Sequence, residues 1–217
     1  MGTRVLIVDD HRMMRDGLKL ILDQSPDMEV VAEAGDGHAA VELARTHKPD
    51  VVIMDVGMAE MNGIEATRQI ISENPKTKVV ALSTYGETRY VVAMLDAGAS
   101  GYVLKVNASD ELARTIHAVL QGQIYLPAEV AGTVVNVAKS KQWAGDKSAY
   151  VILGAREREV LQLLAEGKSS KDIAHKMHIS FRTVEAHRRN LMQKIGLRSV
   201  AELTKYAVRE GITQIES

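Results

Sequence analysis

No cysteine occurs among the 217 residues. That absence excludes disulfide staples, thiolate metal ligands and cysteine nucleophiles, and it suits a reducing compartment. Long apolar runs are missing too: nothing approaches the roughly 18 consecutive apolar residues of a membrane span. The opening stretch "MGTRVLIVDD" is too short and too acidic for a signal peptide. The expectation is a cytoplasmic chain with no membrane partner. A strong excess of one charge is also lacking, since the formal net charge is −1, but the balance is uneven along the chain. Residues 1–120 hold 12 Lys and Arg against 18 Asp and Glu, residues 121–147 hold 3 against 2, and residues 148–217 hold 12 against 8. An acidic front joined to a basic rear favours two modules, the second suited to a polyanion.

What is present is a hydrophobic content of 46 %, enough for real cores. From Arg4 to Leu120 strand and helix patterns alternate. β-Branched runs predict strands at 4–8, 28–34, 51–54, 78–82 and 101–104. Helical spacings of three or four connect Leu18, Ile21 and Leu22, and likewise Leu112, Ile116, Val119 and Leu120. Asn107, three residues before Asp110, reads as an N-terminal cap for the last of these helices. Five such repeats predict an α/β doubly wound, five-stranded parallel sheet that binds ligands at the carboxyl ends of its strands. Residues 121–147 change character, with one short helix expected after Pro127 and then a polar stretch. From Leu153 onward the pattern is all-α. Four helices are expected near 155–166, 170–177, 181–195 and 199–210, broken at Gly167, at "HIS" (178–180) and at Gly196.

The third strand, "VVIM", runs into Asp55, and the first runs into Asp9 and Asp10. Three carboxylates at neighbouring strand ends demand a cation, and oxygen ligands without His or Cys suit Mg²⁺. Ser83 and Lys105 follow the fourth and fifth strands and add a hydroxyl and an ammonium, both phosphate-binding groups. The stretches "VLIVDDH", "VVIMDV", "MNGIEA", "VVALST" and "GASGYVLK" resemble the receiver domain of two-component response regulators, from residue 4 to about 120. The spacings agree, with Ser83 lying 28 and Lys105 lying 50 residues after Asp55. The resemblance implies a flavodoxin-like fold. It also implies that Asp55 is the phospho-acceptor, that Asp9, Asp10 and the Gly57 carbonyl hold Mg²⁺ with Asp55, and that Tyr102 is the switch aromatic. Ala59 departs from the family, which usually carries proline there, and implies a less rigid loop.

The rear segment "SSKDIAHKMHISFRTVEAHRRNLMQKIG" reads as helix, short turn, helix. Ile173, Ala174, Met177, Val184, Leu191 and Ile195 supply buried faces, Ser169 and Ser180 are N-cap candidates, and Arg182, Arg188, Arg189 and Lys194 face outward. The longer stretch from Arg156 to Leu203 resembles the LuxR-type DNA-binding domain. With the receiver it is similar to regulators of the NarL/FixJ type. That resemblance implies that the 181–195 helix enters the major groove with Glu185, Ala186 and Arg189 nearest base edges. Lys171, Ser180, Thr183, Arg188 and Lys194 then lie nearer phosphates, with Arg182 part of the same surface. Two departures are Gly154 in place of a threonine cap and Val200 at a position often held by arginine. His175, His178 and His187 lack the cysteine partners and spacing of a zinc site, and Met13, Met14 and Met94 read as core or interface.

The expected organisation is a receiver over 1–122, a linker with one short helix over 123–150 and a LuxR-type helix-turn-helix domain over 151–217. The expected function is a phosphorylation-dependent transcription regulator, not a turnover enzyme. The resemblance implies a sensor histidine kinase, double-stranded promoter DNA and RNA polymerase as partners, and a homodimer when phosphorylated. Two rival readings are a constitutive DNA binder whose receiver only dimerises and a small phosphatase with an Asp nucleophile. Against the second, Gly57 stands where such phosphatases place their acid/base carboxylate.

Overall fold

The β-branched runs become five strands of one parallel sheet in the computed structural model, which describes residues 2–84, 86–139 and 148–213. They are β1 Thr3–Val8, β2 Met28–Ala34, β3 Val51–Asp55, β4 Lys78–Ser83 and β5 Gly101–Leu104, in the order β2-β1-β3-β4-β5. Both faces are covered, so the inner strands β1, β3 and β4 are buried at consecutive positions. Val5, Ile7, Val51, Ile53, Val80, Leu82 and Val103 pack against α1 (Arg12–Leu22) and α5 (Ala108–Leu120) through Leu18, Leu22, Leu112, Ile116 and Val119. The intervening residues Leu6, Val52, Met54 and Ala81 are equally buried. Their face is covered by α2 (Gly37–His47) and α3 (Gly63–Glu73), with α4 (Thr88–Asp96) beside α3.

Two local expectations are corrected. Asn107 makes no side-chain cap, because a 3-10 turn over Lys105–Asn107 feeds α5 and leaves Asn107 at φ −104°, ψ 5° rather than in the extended conformation a cap needs. Leu120 is 39 % exposed, since the buried stripe of α5 ends at Val119. The methionines divide: Met94 is buried, Met14 packs against the core, and Met13 is exposed.

Residues after α5 extend the first unit, which runs from Met1 to Trp143. Tyr125 bridges Gly101 in parallel, accepts the Tyr102 N–H at 2.9 Å and donates to the Ser100 carbonyl at 3.1 Å. This short strap covers the open edge of β5, where an unpaired ladder would otherwise face solvent. The helix after Pro127, α6, spans Ala128–Lys139 and packs on α4. Residues 140–147 of the expected polar linker lie outside the described residues.

The second unit, Ala144–Ser217, is helical. A single turn, α7 (Ala149–Ile152), precedes α8 (Ala155–Ala165), α9 (Ser170–Lys176), α10 (Phe181–Ile195) and α11 (Val200–Arg209). Leu153, Val160, Leu161, Leu164, Ile173, Val184, Leu191 and Leu203 form its core. No helix among the described residues is long and apolar enough to cross a membrane.

Two glycines respond to packing in opposite ways. A Cβ on Gly63, the first residue of α3, falls 1.9 Å from the Asp55 carbonyl oxygen, whereas a Cβ on Gly17 in α1 meets nothing within 4 Å. Gly63→Ala is therefore expected to cost about 3 kcal/mol through overpacking. Gly17→Ala should stabilise by about 1 kcal/mol through helix propensity. Urea unfolding midpoints at constant slope check both; equal midpoints for the two variants would contradict the tight approach at Gly63.

Candidate functional site

Chain order reverses between β1 and β3, and doubly wound sheets bind ligands outside the strand ends at such a point. Asp9 and Asp10 follow β1, and Asp55 closes β3. The register pairs Asp55 with Leu82 and Ser83 with Leu104, so Ser83 and Lys105 come to the same end of the sheet. The loop after Asp55 is tied back by the Val56 N–H on the Leu82 carbonyl (3.0 Å) and the Gly63 N–H on the Val56 carbonyl (3.1 Å). Asn62 caps α3 by accepting the Glu65 N–H at 2.9 Å. Within that loop Glu60 takes a left-handed conformation, φ 68°.

The pocket is organised around one ammonium. Lys105 Nζ lies 2.7 Å from Asp9 Oδ2 and 2.9 Å from Asp55 Oδ2, and both carboxylates are almost wholly buried. The His11 N–H donates to Asp9 Oδ1 at 2.8 Å, the Gly57 N–H to Asp55 Oδ1 at 3.4 Å, and Arg15 Nη1 to the Asp9 carbonyl at 2.8 Å. Burial pushes the Asp55 carboxyl above its ordinary range; Lys105 pulls it down and Asp9 adds to the rise. Burial also works against the Lys105 ammonium, but the Asp55 and Asp9 carboxylates outweigh it and hold its pKa above the usual lysine range. Three carboxylates against one ammonium leave an excess of negative charge on hard oxygen donors, which fits a divalent cation such as Mg²⁺. One oxygen each of Asp9, Asp10 and Asp55 and one ring nitrogen of His11 lie within 4.8 Å of one another. His11 was not singled out from the sequence, although it directly follows the two aspartates.

Ser83 and Tyr102 lie beside this cluster and are both buried. Burial pushes the Tyr102 phenol up to about 12, against a hydrogen bond with Ser83. The backbone of the same tyrosine holds the Tyr125 strap.

In the helical unit, Ser169 and Asp172 cap α9 reciprocally, and Ser180 caps α10 by accepting the Thr183 N–H at 3.0 Å. The turn between them carries His178 at φ 53°. Val184 and Leu191 are buried, so the opposite side of α10 presents Arg182, Ala186, Arg189 and Gln193 to solvent. Asn190 and Gln193 share that exposure and were not singled out, although the i, i+4, i+7 spacing from Arg182 through Ala186 and Arg189 extends to Gln193. Lys171 is exposed at the start of α9.

Other expected DNA-facing residues have partners within the unit. Ser170 Oγ donates to Glu185 Oε1 at 2.6 Å, and Arg188 lies 3.8 Å from the same oxygen. Lys194 Nζ is 2.6 Å from Glu157 Oε2, an oxygen that also accepts the Gly154 N–H at 2.9 Å. Burial opposes the Glu157 charge, but Lys194 and the Gly154 N–H hold its pKa below the usual range.

A sequence model of the response regulator receiver domain matches residues 5–117, and one of bacterial regulatory proteins of the luxR family matches residues 151–207. The chain is 36 % identical over 216 residues to the oxygen regulatory protein NreC of Staphylococcus epidermidis, covering 97 % of this chain and 99 % of that one. It is similar to the crystal structure of a LuxR-family two-component response regulator from an Aurantimonas species. There the TM-score is 0.60 at 32 % identity, over 63 % of this chain and 97 % of the other. It is also similar to the response regulator RcsB in a complex with DNA, with a TM-score of 0.60 at 26 % identity over 97 % and 99 % of the chains.

The shared ammonium sets a stability test. Lys105→Ala leaves two buried carboxylates unpaired and is expected to cost about 3 kcal/mol near neutral pH without divalent cations. A carboxyl whose folded pKa exceeds its unfolded value binds its proton more tightly in the folded state, so stability rises as pH falls through that folded pKa. Without the ammonium the Asp55 pKa rises further, and the deficit against wild type should shrink on acidification toward the unfolded value of 3.8. Urea unfolding at about pH 7 and pH 5 measures it. A deficit unchanged between the two would mean that Asp55 takes up no proton in that range.

Proposed function

The chain belongs to the response-regulator family, a receiver domain followed by a LuxR-type DNA-binding domain, and on that premise we propose that Asp55 accepts the phosphoryl group that controls it. Phosphorylation-dependent regulation of transcription is the function of the chain. The observation that carries the assignment of Asp55 is the Lys105 ammonium held between Asp9 and Asp55 at the reversal point of the sheet. One Asp55 oxygen attacks phosphorus in line while the bond to the nitrogen of a donor histidine, protonated on its other ring nitrogen, breaks, leaving an acyl phosphate on Asp55 and a neutral imidazole on the kinase. Lys105 and the Ser83 hydroxyl face the phosphoryl oxygens. Asp9, Asp10, Asp55 and the Gly57 carbonyl are the groups that would hold Mg²⁺, which supplies charge neutralisation for the transferring oxygens when bound. Hydrolysis of the acyl phosphate resets the pocket, so the receiver acts on its own phosphoryl group and turns over no free substrate.

The signal leaves the pocket through Tyr102 as the switch residue. Its phenol is bonded to Ser83, and its N–H is bonded to Tyr125, whose side chain interacts with Glu111 and Thr115 of α5. A change at Ser83 therefore bears on the strap that leads into α6. In the second unit α10 reads the major groove, with Arg189, Ala186 and Glu185 toward base edges. Arg182, Arg188, Lys171, Ser180, Thr183 and Lys194 act toward phosphates. Double-stranded promoter DNA, a sensor histidine kinase, a second copy when phosphorylated and RNA polymerase are the partners of this reading, which operates in the cytoplasm.

Two experiments test it. Asp55→Asn is expected to abolish Mg²⁺-dependent, acid-labile phosphorylation by acetyl phosphate, because an amide is not a nucleophile; phosphoryl incorporation retained at another residue would overturn the assignment. For DNA, Arg189→Ala should cost about 1–3 kcal/mol on the cognate site and relax discrimination at one base pair. Lys171→Ala should weaken cognate and random DNA alike and reduce the salt slope by about one unit. Lys171 suits this comparison better than Lys194, whose loss would also break the pair with Glu157. Competition titrations at several salt concentrations measure both, and reversed roles would mean that α10 is rotated about its axis.

A further inference from the structure

One guanidinium beside the pocket has no part in the chemistry described above. Arg15, in the first turn of α1, reaches back past the start of its own helix, and its Nη1 donates to the Asp9 main-chain carbonyl at 2.8 Å. Its Nε lies 3.6 Å from Glu33 Oε2 on β2, and the side chain is only 19 % exposed. Lys19, one turn further along α1, lies 3.6 Å from the other oxygen of Glu33. A guanidinium presents its N–H groups in a fixed fork, so one of them holds the carbonyl while another faces the acid.

What the carbonyl bond fixes is a peptide plane. The Asp9 carbonyl and the Asp10 N–H belong to one planar unit, so holding the first sets the direction in which Asp10 leaves the strand end. Asp9 is secured at its other polar atoms as well: its N–H donates to the Ala34 carbonyl at 3.2 Å, Oδ1 accepts the His11 N–H and Oδ2 meets Lys105. Asp10 is tied less firmly. Its carboxylate meets the His11 ring at 2.6 Å, and that ring is 75 % exposed, where solvent screens the contact.

We propose that Arg15 is a positioning residue for phosphoryl transfer to Asp55, aiming Asp10 at the divalent cation by fixing the Asp9–Asp10 peptide, with Glu33 anchoring the guanidinium. Its charge acts in the opposite sense. A positive group beside three carboxylates competes with a cation, so deleting Arg15 for its charge alone would tighten cation binding, whereas deleting a positioning residue weakens it. The role of Arg15 rests on the reading that Asp9, Asp10 and Asp55 hold Mg²⁺.

The ¹⁵N-labelled full chain is titrated with MgCl₂ and followed by its amide shifts, in wild type, Arg15→Ala, Arg15→Lys, Asp10→Asn and the double variant of Arg15→Ala with Asp10→Asn. Arg15→Ala is expected to lose about tenfold in Mg²⁺ affinity, the scale of removing a group that orients a metal ligand. Arg15→Lys keeps the charge, loses the fork and should weaken binding as well. In the Asp10→Asn background the removal of Arg15 should have little further effect, because the carboxylate it aims is already gone, whereas a general loss of structure lowers affinity in either background. Phosphorylation of Arg15→Ala by acetyl phosphate should need about tenfold more Mg²⁺ for half its maximal rate, with that maximal rate retained. Unchanged affinity in Arg15→Ala overturns the proposal, as does tighter binding there with no change in Arg15→Lys, which leaves only the charge effect. An equal loss on removing Arg15 in both backgrounds overturns it too. Each of these leaves the aspartate site standing, whereas a wild type that takes up no Mg²⁺ overturns the reading of the aspartates together with the role of Arg15.

Discussion

The Lys105 ammonium between Asp9 and Asp55 is the interaction on which the receiver unit depends. Neither carboxylate could be buried at the end of an apolar sheet without it, because an unpaired buried charge costs several kcal/mol. Lys105 is delivered by β5 and the aspartates by β1 and β3, so the pair forms only when the strands are in their parallel register. The same arrangement leaves the site short of positive charge. One ammonium does not neutralise Asp9, Asp10 and Asp55.

The helical unit uses a carboxylate differently. Glu157 lies at the first turn of α8, accepts the Gly154 N–H, and draws Lys194 from the end of α10 onto the same oxygen. One buried acid therefore fastens the start of one helix to the end of another. Lys194 stays 45 % exposed in this pair, while Val184 and Leu191 of the same helix face the core. Arg182 and Arg189 are left outward as a consequence of where the apolar residues must go. Glu185, which stands on the same helix, is held by Ser170 of α9 and stiffens the turn between the two.

Glycine placement links Asp55 to its scaffold. Gly63 lies so close to the Asp55 carbonyl that no side chain fits, and a Cβ on Gly37 would meet the Met61 carbonyl at 2.5 Å. The loop from Val56 to Asn62 is consequently pinned from two helix starts. Rigidity near Asp55 comes from these contacts, which bears on Ala59: the proline usual in the family is absent, but the Met61 N–H closes on the Ala59 carbonyl at 2.8 Å and the loop remains a tight turn.

Much was legible along the chain because it depends on local pattern. The five strands, the helix periods and the Ser169 and Ser180 caps follow from spacing and residue type over a few positions, and the carboxylates stand out as charges at the ends of apolar runs. Where pattern is local, chain order is enough. The Asn107 cap failed because a 3-10 turn after β5 set a backbone angle that side-chain identity does not encode. Leu120, apolar and at helical spacing, was left exposed because the buried stripe of α5 ends at Val119. Lys194 has the composition of a surface cation and acquires its partner 37 residues away in sequence. His11 joined the acidic cluster only once α1 began where it does. Sequence by itself determined the elements and the types of chemistry at their ends, since propensity and periodicity act between neighbours. Tertiary structure alone decided which charges meet, because distances between side chains far apart in the chain are set by packing.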